Sequence, residues 1–176
     1  MFDLIQRNIV TLQQGEALLQ RISDADYTRN VALVFGGSIG AHIRHNLDHY
    51  ASFLDGLQSG CIDYAARLRD PRIEQQRDAA LDLFKRLRQE LTAITPGDIG
   101  PLRTRIDDSS DAIETATSPE RELGFLCSHS VHHYAIIAIL CRIQGIDVDA
   151  TFGVAPSTLV FRKEIDTAVK ASTCVR

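Results

Sequence analysis

The six histidines of this chain, His42, His45, His49, His129, His132 and His133, fall in two short windows and nowhere else. Imidazole is the commonest protein ligand for transition metals. Two imidazoles four residues apart on a helix stand on one face with Cβ atoms about 5–6 Å apart, so one ion can take both. His129 and His133 have this spacing. The expected chemistry is that of a metal centre. A zincin-type peptidase is excluded, because H-E-x-x-H needs Glu after its first His and Ser130 stands there.

The elements that must position these residues are four long helices. The first, over about 2–22, carries Phe2, Ile5, Ile9, Leu12, Leu19 and Ile22 as an apolar stripe, and Ser23, Asp24 and Asp26 break it. The second, over about 38–58, follows Gly36-Gly37 with Ser38 as its cap and Gly60 as its stop. The third, over about 71–94, begins at Asp70-Pro71 and ends before Pro96-Gly97. The fourth, over about 119–144, begins at Ser118-Pro119-Glu120 and stops at Gly145. Between the third and fourth, Leu102–Ile106 and Ala112–Ala116 alternate around Asp107–Asp111, which reads as a short hairpin or an irregular crossover loop. Residues 146–176 read as a loop, a short helix after Pro156 and a loose tail. The expected fold is all-α: a four-helix bundle with one long connection, in a single domain over 1–176 whose bundle covers about 1–145.

Helical phase places the histidines on these elements. With His129 at zero and about 100° per residue, His133 falls near 40°, Leu140 near 20° and Ile136 near 340°. The pair therefore stands in the middle of an apolar stripe, and His132 lies on its flank. On the second helix the stripe centres near Leu57 and Tyr50, with His42 and His49 at its edge and His45 further round. Periodicity there favours His49 or His42 as the inward ligand.

The segment Ser38–His49, followed by Phe53-Leu54, resembles the first metal-binding helix of the DinB/YfiT-like superfamily, with His45, Asp48, Phe53 and Leu54 at its characteristic positions. His129-Ser130-Val131-His132-His133 resembles the H-x-x-H-H signature of that superfamily's last bundle helix. The resemblance implies a three-histidine metal site of His45, His129 and His133, with His49 as the alternative to His45. It implies a divalent transition metal, zinc first, with nickel or iron as alternatives. Three imidazoles on one ion leave positions open for water or substrate. Some members of the superfamily are thiol-dependent transferases or isomerases, so the resemblance implies a metal-dependent enzyme of thiol-dependent S-transferase type acting with a low-molecular-weight thiol and a small-molecule substrate. The alternative is a non-catalytic metal-binding bundle with a stress-linked or interaction role.

One further group bears on recognition. Tyr64, Arg67 and Arg69, in the connection between the second and third helices, could hold a carboxylate or phosphate at the bundle mouth. Otherwise the stretch is a surface linker with Arg69 and Asp70 locally paired.

Composition sets the bounds. The chain has 176 residues, 44% hydrophobic and 24% charged, with net charge −4. A chain of this length buries a proper core without disulfides, and its charge excludes a domain-wide basic footprint for nucleic acid. The start has an early acid and no apolar run of signal-peptide type. The longest uninterrupted apolar run, Ala135–Cys141, is too short to span a bilayer. The expectation is a cytoplasmic protein whose four cysteines, Cys61, Cys127, Cys141 and Cys174, are reduced thiols. Apolar stripes on long helices also suit a homodimer.

Overall fold

The computed structural model describes residues 1–33, 37–95, 97, 99–105 and 113–173, the last eight of these as backbone only. The turn expected at Asp107–Asp111, with Ile106 and Ala112 beside it, lies outside the described residues, as do Gly36, Pro96 and Cys174. Four helices form the body: α1 (Phe2–Leu19), α3 (Ile39–Ser59), α5 (Arg77–Thr92) and α6 (Pro119–Ile143). Each packs on two others in a closed ring, α1 against α5 and α6, and α3 against the same two. The core between them holds Leu12, Leu19, Ile43, Leu47, Phe53, Phe84, Leu87, Leu126 and Ile137, all with no exposed surface. Burying each such side chain contributes roughly 1.5–3 kcal/mol.

Local chemistry sets the helix ends. Ser38 Oγ accepts from the Ala41 amide, and Gly60 ends α3 with φ 81, a left-handed conformation that suits glycine. Ser118 Oγ accepts from the Arg121 amide, and Pro119 opens α6. The stretch after α1 does not stay irregular. Ser23 Oγ accepts from the Asp26 amide and starts the short α2 (Asp24–Thr28), which buries Tyr27.

The expected third helix is two helices. α4 (Pro71–Gln75) ends at Gln76, whose backbone is extended (φ −126, ψ 103), and α5 starts at Arg77. No glycine or proline marks this break. It is imposed from outside: Tyr27 Oη donates to the Ile73 carbonyl at 2.5 Å, Arg44 Nε donates to Glu74 at 2.9 Å, and Arg77 Nη1 donates to the Leu19 carbonyl at 2.9 Å. These contacts hold α4 against α2 and α3, while α5 turns away to line α1.

The hairpin is present. β2 (Leu102–Arg105) runs antiparallel to β3 (Glu114–Thr117), with Leu102 opposite Thr117 and Arg105 opposite Glu114. A third strand, β1 (Cys61–Asp63), was not foreseen and pairs in parallel with β2. The sheet order is β1-β2-β3, so it ties the end of α3 to the start of α6.

α6 is long and apolar enough to cross a membrane by length and composition, with mean hydropathy 1.4 over its best window. In the fold it packs against α1 and α3. After Gly145 the chain folds back on it: Phe152 stacks on Tyr134 with ring centres 4.8 Å apart. A Cβ at Gly153 (φ 71) would stand 2.5 Å from the Ala135 amide nitrogen. The expected short helix after Pro156 is the longer α7 (Pro156–Thr173), since no glycine or proline interrupts that stretch.

Candidate metal centre

α3 and α6 lie side by side, and all six histidines stand on them. His45, His49 and His129 each offer one ring nitrogen within 4.8 Å of the other two. Their ring centres are 4.5 Å apart for His45–His49, 5.1 Å for His45–His129 and 4.2 Å for His49–His129. His133 is buried beside them, 4.5 Å from His129 and 4.6 Å from His45 between ring centres. Its Nδ1 faces His42 Nδ1 at 3.1 Å. Exposed His132 meets His133 edge-on at 5.1 Å. His45, His129 and His133 are thus neighbours, with His49 and His42 in the same cluster. The arrangement that brings three ligating atoms within 4.8 Å contains His49.

The hydrogen bonds of His49 reveal its tautomer. Its Nδ1 lies 2.7 Å from the His45 carbonyl, which can only accept, so Nδ1 carries the proton. Nε2 then presents a lone pair, the state a metal ligand requires. Arg67 Nη1 lies 3.4 Å from that nitrogen and is the donor. His129 Nε2 is buried with no hydrogen-bond partner. A buried nitrogen left unpaired is costly, and an ion would satisfy it. On these two observations the residues fit a metal.

Burial keeps the rings neutral. It lowers His45 and His133 from 6.5 to about 3, and His49 and His129 to about 4, with repulsion from neighbouring histidines adding to the effect. For His49 the bond to the His45 carbonyl works the other way but does not win. His42 is also lowered, by burial and then by His132. Neutral imidazoles near pH 7 are ready to bind a cation without first losing a proton.

A wall of side chains closes one flank. The Tyr64 ring stacks on His49 at 5.3 Å, and Phe125 lies 5.2 Å from Tyr64 and 5.3 Å from His129. Tyr64 Oη donates to Glu122 Oε2 at 2.8 Å. Glu122 has no exposed surface, and Thr117 and Arg121 donate to its other oxygen at 2.6 and 2.8 Å. Burial and the Glu122 carboxylate raise Tyr64 well above its ordinary range.

Of the residues considered for recognition, Tyr64 and Arg67 reach the histidines. Arg69 is exposed, adopts φ 51 and donates to the Ala65 carbonyl at 3.3 Å. It does not pair with Asp70, which holds Arg72 at 2.7 Å. Sequence reasoning missed Glu122 and the wall role of Phe125. A signal for Glu122 existed: it precedes His129 by seven residues, two helical turns, and so shares its face.

One comparison with known proteins identifies the family. The family model described as the DinB superfamily matches residues 10–137, more than half of the chain. FK506-binding protein 5 of Rhizopus delemar is 43% identical over 54 residues, which are 30% of this chain and 14% of that protein. So short a match in so much longer a relative carries no inference about activity. No solved structure matches the chain. All six histidines lie within the matched residues, and the chain belongs to the DinB superfamily.

Proposed function

We propose that this chain is a metal-dependent enzyme of thiol-dependent S-transferase type, built on a histidine-held divalent transition metal. One observation carries the metal centre: three imidazole nitrogens converge within 4.8 Å, and one of that group, His129, has a buried Nε2 without a partner. His45 and His129 would hold the ion with either His49 or His133 as the third ligand. Zinc is the first choice, and nickel or iron also suit imidazoles. An ion there would polarise a bound oxygen or lower the pKa of a thiol or water at an open position.

The chain's own residues supply the rest. The bond from His49 Nδ1 to the His45 carbonyl holds the ring in its ligating tautomer. Tyr64 and Phe125 exclude water from one side, and Glu122 fixes Tyr64 in place. In this reading a low-molecular-weight thiol is the cosubstrate, the protein is cytoplasmic, and a homodimer is its working form.

Elemental mass spectrometry on untagged protein tests the metal centre. About one transition metal per chain is expected in the wild type, with loss in His129→Ala. His49→Ala and His133→Ala, compared side by side, identify the third ligand. Full occupancy in all three variants would falsify the site. Metal-loaded protein that transfers no thiol from a panel of small thiols would leave the second reading, a non-catalytic metal-binding bundle.

A further inference from the structure

The two helices hold their imidazoles in different ways. His49 donates from Nδ1 to the His45 carbonyl, within its own helix. His133 bonds across the helix pair instead: its Nδ1 lies 3.1 Å from His42 Nδ1 on α3. Among the described residues the His133 side chain makes no other hydrogen bond. A neutral imidazole carries one N–H and one lone pair. One proton therefore lies between the two Nδ1 atoms, and one ring donates while the other accepts.

The direction of that bond decides what His133 can do. If His42 donated, the proton of His133 would stand on Nε2, and the ring would keep no lone pair for a metal. If His133 donates, Nε2 keeps its lone pair. The His133 ring is placed to use it. Its centre is 4.5 Å from that of His129 and 4.6 Å from that of His45, as close as the rings of the triad stand to one another. It also stands four residues from His129, the spacing at which one ion can take both rings. Ligation through Nε2 puts the remaining proton on Nδ1, and a metal-bound histidine ordinarily passes that proton to an acceptor. The acceptor in place is His42 Nδ1. His132 does not fill this role: it is exposed and meets the His133 ring edge-on.

Resting on the metal-centre reading, we infer that His42 is a positioning residue of that centre: its Nδ1 accepts the Nδ1 proton of His133 and so keeps the lone pair of His133 Nε2 free for the ion. His42 is half-buried, and its own proton then stands on Nε2. It acts on the metal through His133 and does not ligate. His42 does for His133 what the His45 carbonyl does for His49.

The test uses the whole chain at about pH 8, where imidazole is neutral. Proton–nitrogen NMR correlation spectra of the rings show which nitrogen of each histidine carries the proton. Competition with a chelating dye gives the zinc affinity. The wild type is compared with His42→Leu, which removes the acceptor, and with His42→Asn, whose side-chain oxygen supplies one. In the metal-free wild type and in His42→Asn the proton of His133 is expected on Nδ1, and in His42→Leu the Nε2–H form should appear. Zinc affinity should fall at least about tenfold in His42→Leu and return to within about threefold of the wild type in His42→Asn. A role in packing alone predicts neither the change of tautomer nor the rescue. The inference is overturned by a wild-type His133 protonated on Nε2, by a His42→Leu variant that binds zinc as the wild type does, or by a loss of zinc that His42→Asn does not repair. In each of these cases the metal centre stands. A folded wild type that binds no zinc overturns the metal centre itself, and the role of His42 with it.

Discussion

Two polar layers lie inside one pair of helices, one residue apart. His45, His49 and His129 are each followed by a buried polar residue: Asn46, Tyr50 and Ser130. A single step turns a helical residue by about 100°, so the second set faces α1 instead of the histidine cluster. There the polar atoms pair with one another. Tyr50 Oη donates to Asn8 Oδ1 at 2.8 Å, Ser130 Oγ lies 3.0 Å from both Tyr50 Oη and Asn46 Oδ1, and Asn8 Nδ2 donates to the carbonyls of Leu4 and Leu123. Asn46 Nδ2 remains without a partner. The histidine layer has fewer such bonds: several of its contacts are ring against ring, and a buried nitrogen of His129 stands alone. A buried network that largely satisfies itself specifies helix register. A cluster of imidazole nitrogens such as His45, His49 and His129 could hold a metal ion.

This contrast can be broken from either side. The largest effect is expected in the histidine layer. His129→Leu should lower metal affinity at least about a hundredfold, since a lost ligand costs more than a lost supporting hydrogen bond. It should leave the metal-free protein as stable as the wild type or more so, because an apolar side chain replaces an unpaired nitrogen. Metal titration beside urea denaturation of the apo protein checks both halves. A strongly destabilised apo variant with normal metal binding would reverse the two roles.

The paired layer should respond in the opposite sense. Beside this layer, a Cβ at Gly15 would overlap Tyr134 Oη, a buried hydroxyl without a partner, and lie 2.8 Å from Phe84 Cζ. Gly15→Ala is therefore expected to cost about 1–3 kcal/mol through overpacking, with metal stoichiometry unchanged. Tyr50→Phe removes the hydroxyl between Asn8 and Ser130 and should cost about 1–2 kcal/mol, again without loss of metal. If Tyr50→Phe empties the centre, the two layers are one functional unit.

Acid gives a finer comparison. In the unfolded chain the histidines take up protons as the pH falls through about 6.5. In the folded apo protein His49 and His129 resist until about 4, and His45 and His133 until about 3. The unfolded state thus binds more protons across that window, so stability falls as the pH drops from about 6.5 toward 4 and is level above it. Denaturation midpoints at pH 7, 6 and 5 should show this decline, with a shallower slope in His49→Leu. A midpoint that does not move between pH 7 and 5 would mean the rings are solvated enough to protonate in the native state. Mildest is Tyr64→Phe, which removes one of three donors from Glu122 and should cost about 1 kcal/mol, read from the same denaturation curves.

Much of the scaffold was legible in the sequence because its causes are local. Ser38, Asp70 and Ser118 cap the helices they precede through bonds to amides two or three residues on. Alternation marked both strands of the hairpin. What stayed hidden was set by partners far along the chain. The break at Gln76 follows from α4 being held by Tyr27 and Arg44. Strand β1 exists because Cys61–Asp63 finds β2 forty residues later. α7 was underestimated for another reason: its length follows from an absence of breakers, a weaker signal than a cap.

The candidate site divides the same way. The sequence alone determined that the histidines lie on two helices and that His129 and His133 share an inward face, because residue spacing and helical pitch are enough for that. It also carried, in the Ser38–Phe53 and H-x-x-H-H patterns, the family to which the chain belongs. Tertiary structure alone decided which nitrogens converge, that His49 stands with His45 and His129 while His133 faces His42, and that Arg67 reaches the cluster and Arg69 does not. Those outcomes depend on the rotation and offset of α3 against α6 and on how the 64–70 connection crosses them. Packing across the whole bundle sets these quantities, and no short stretch of sequence encodes them.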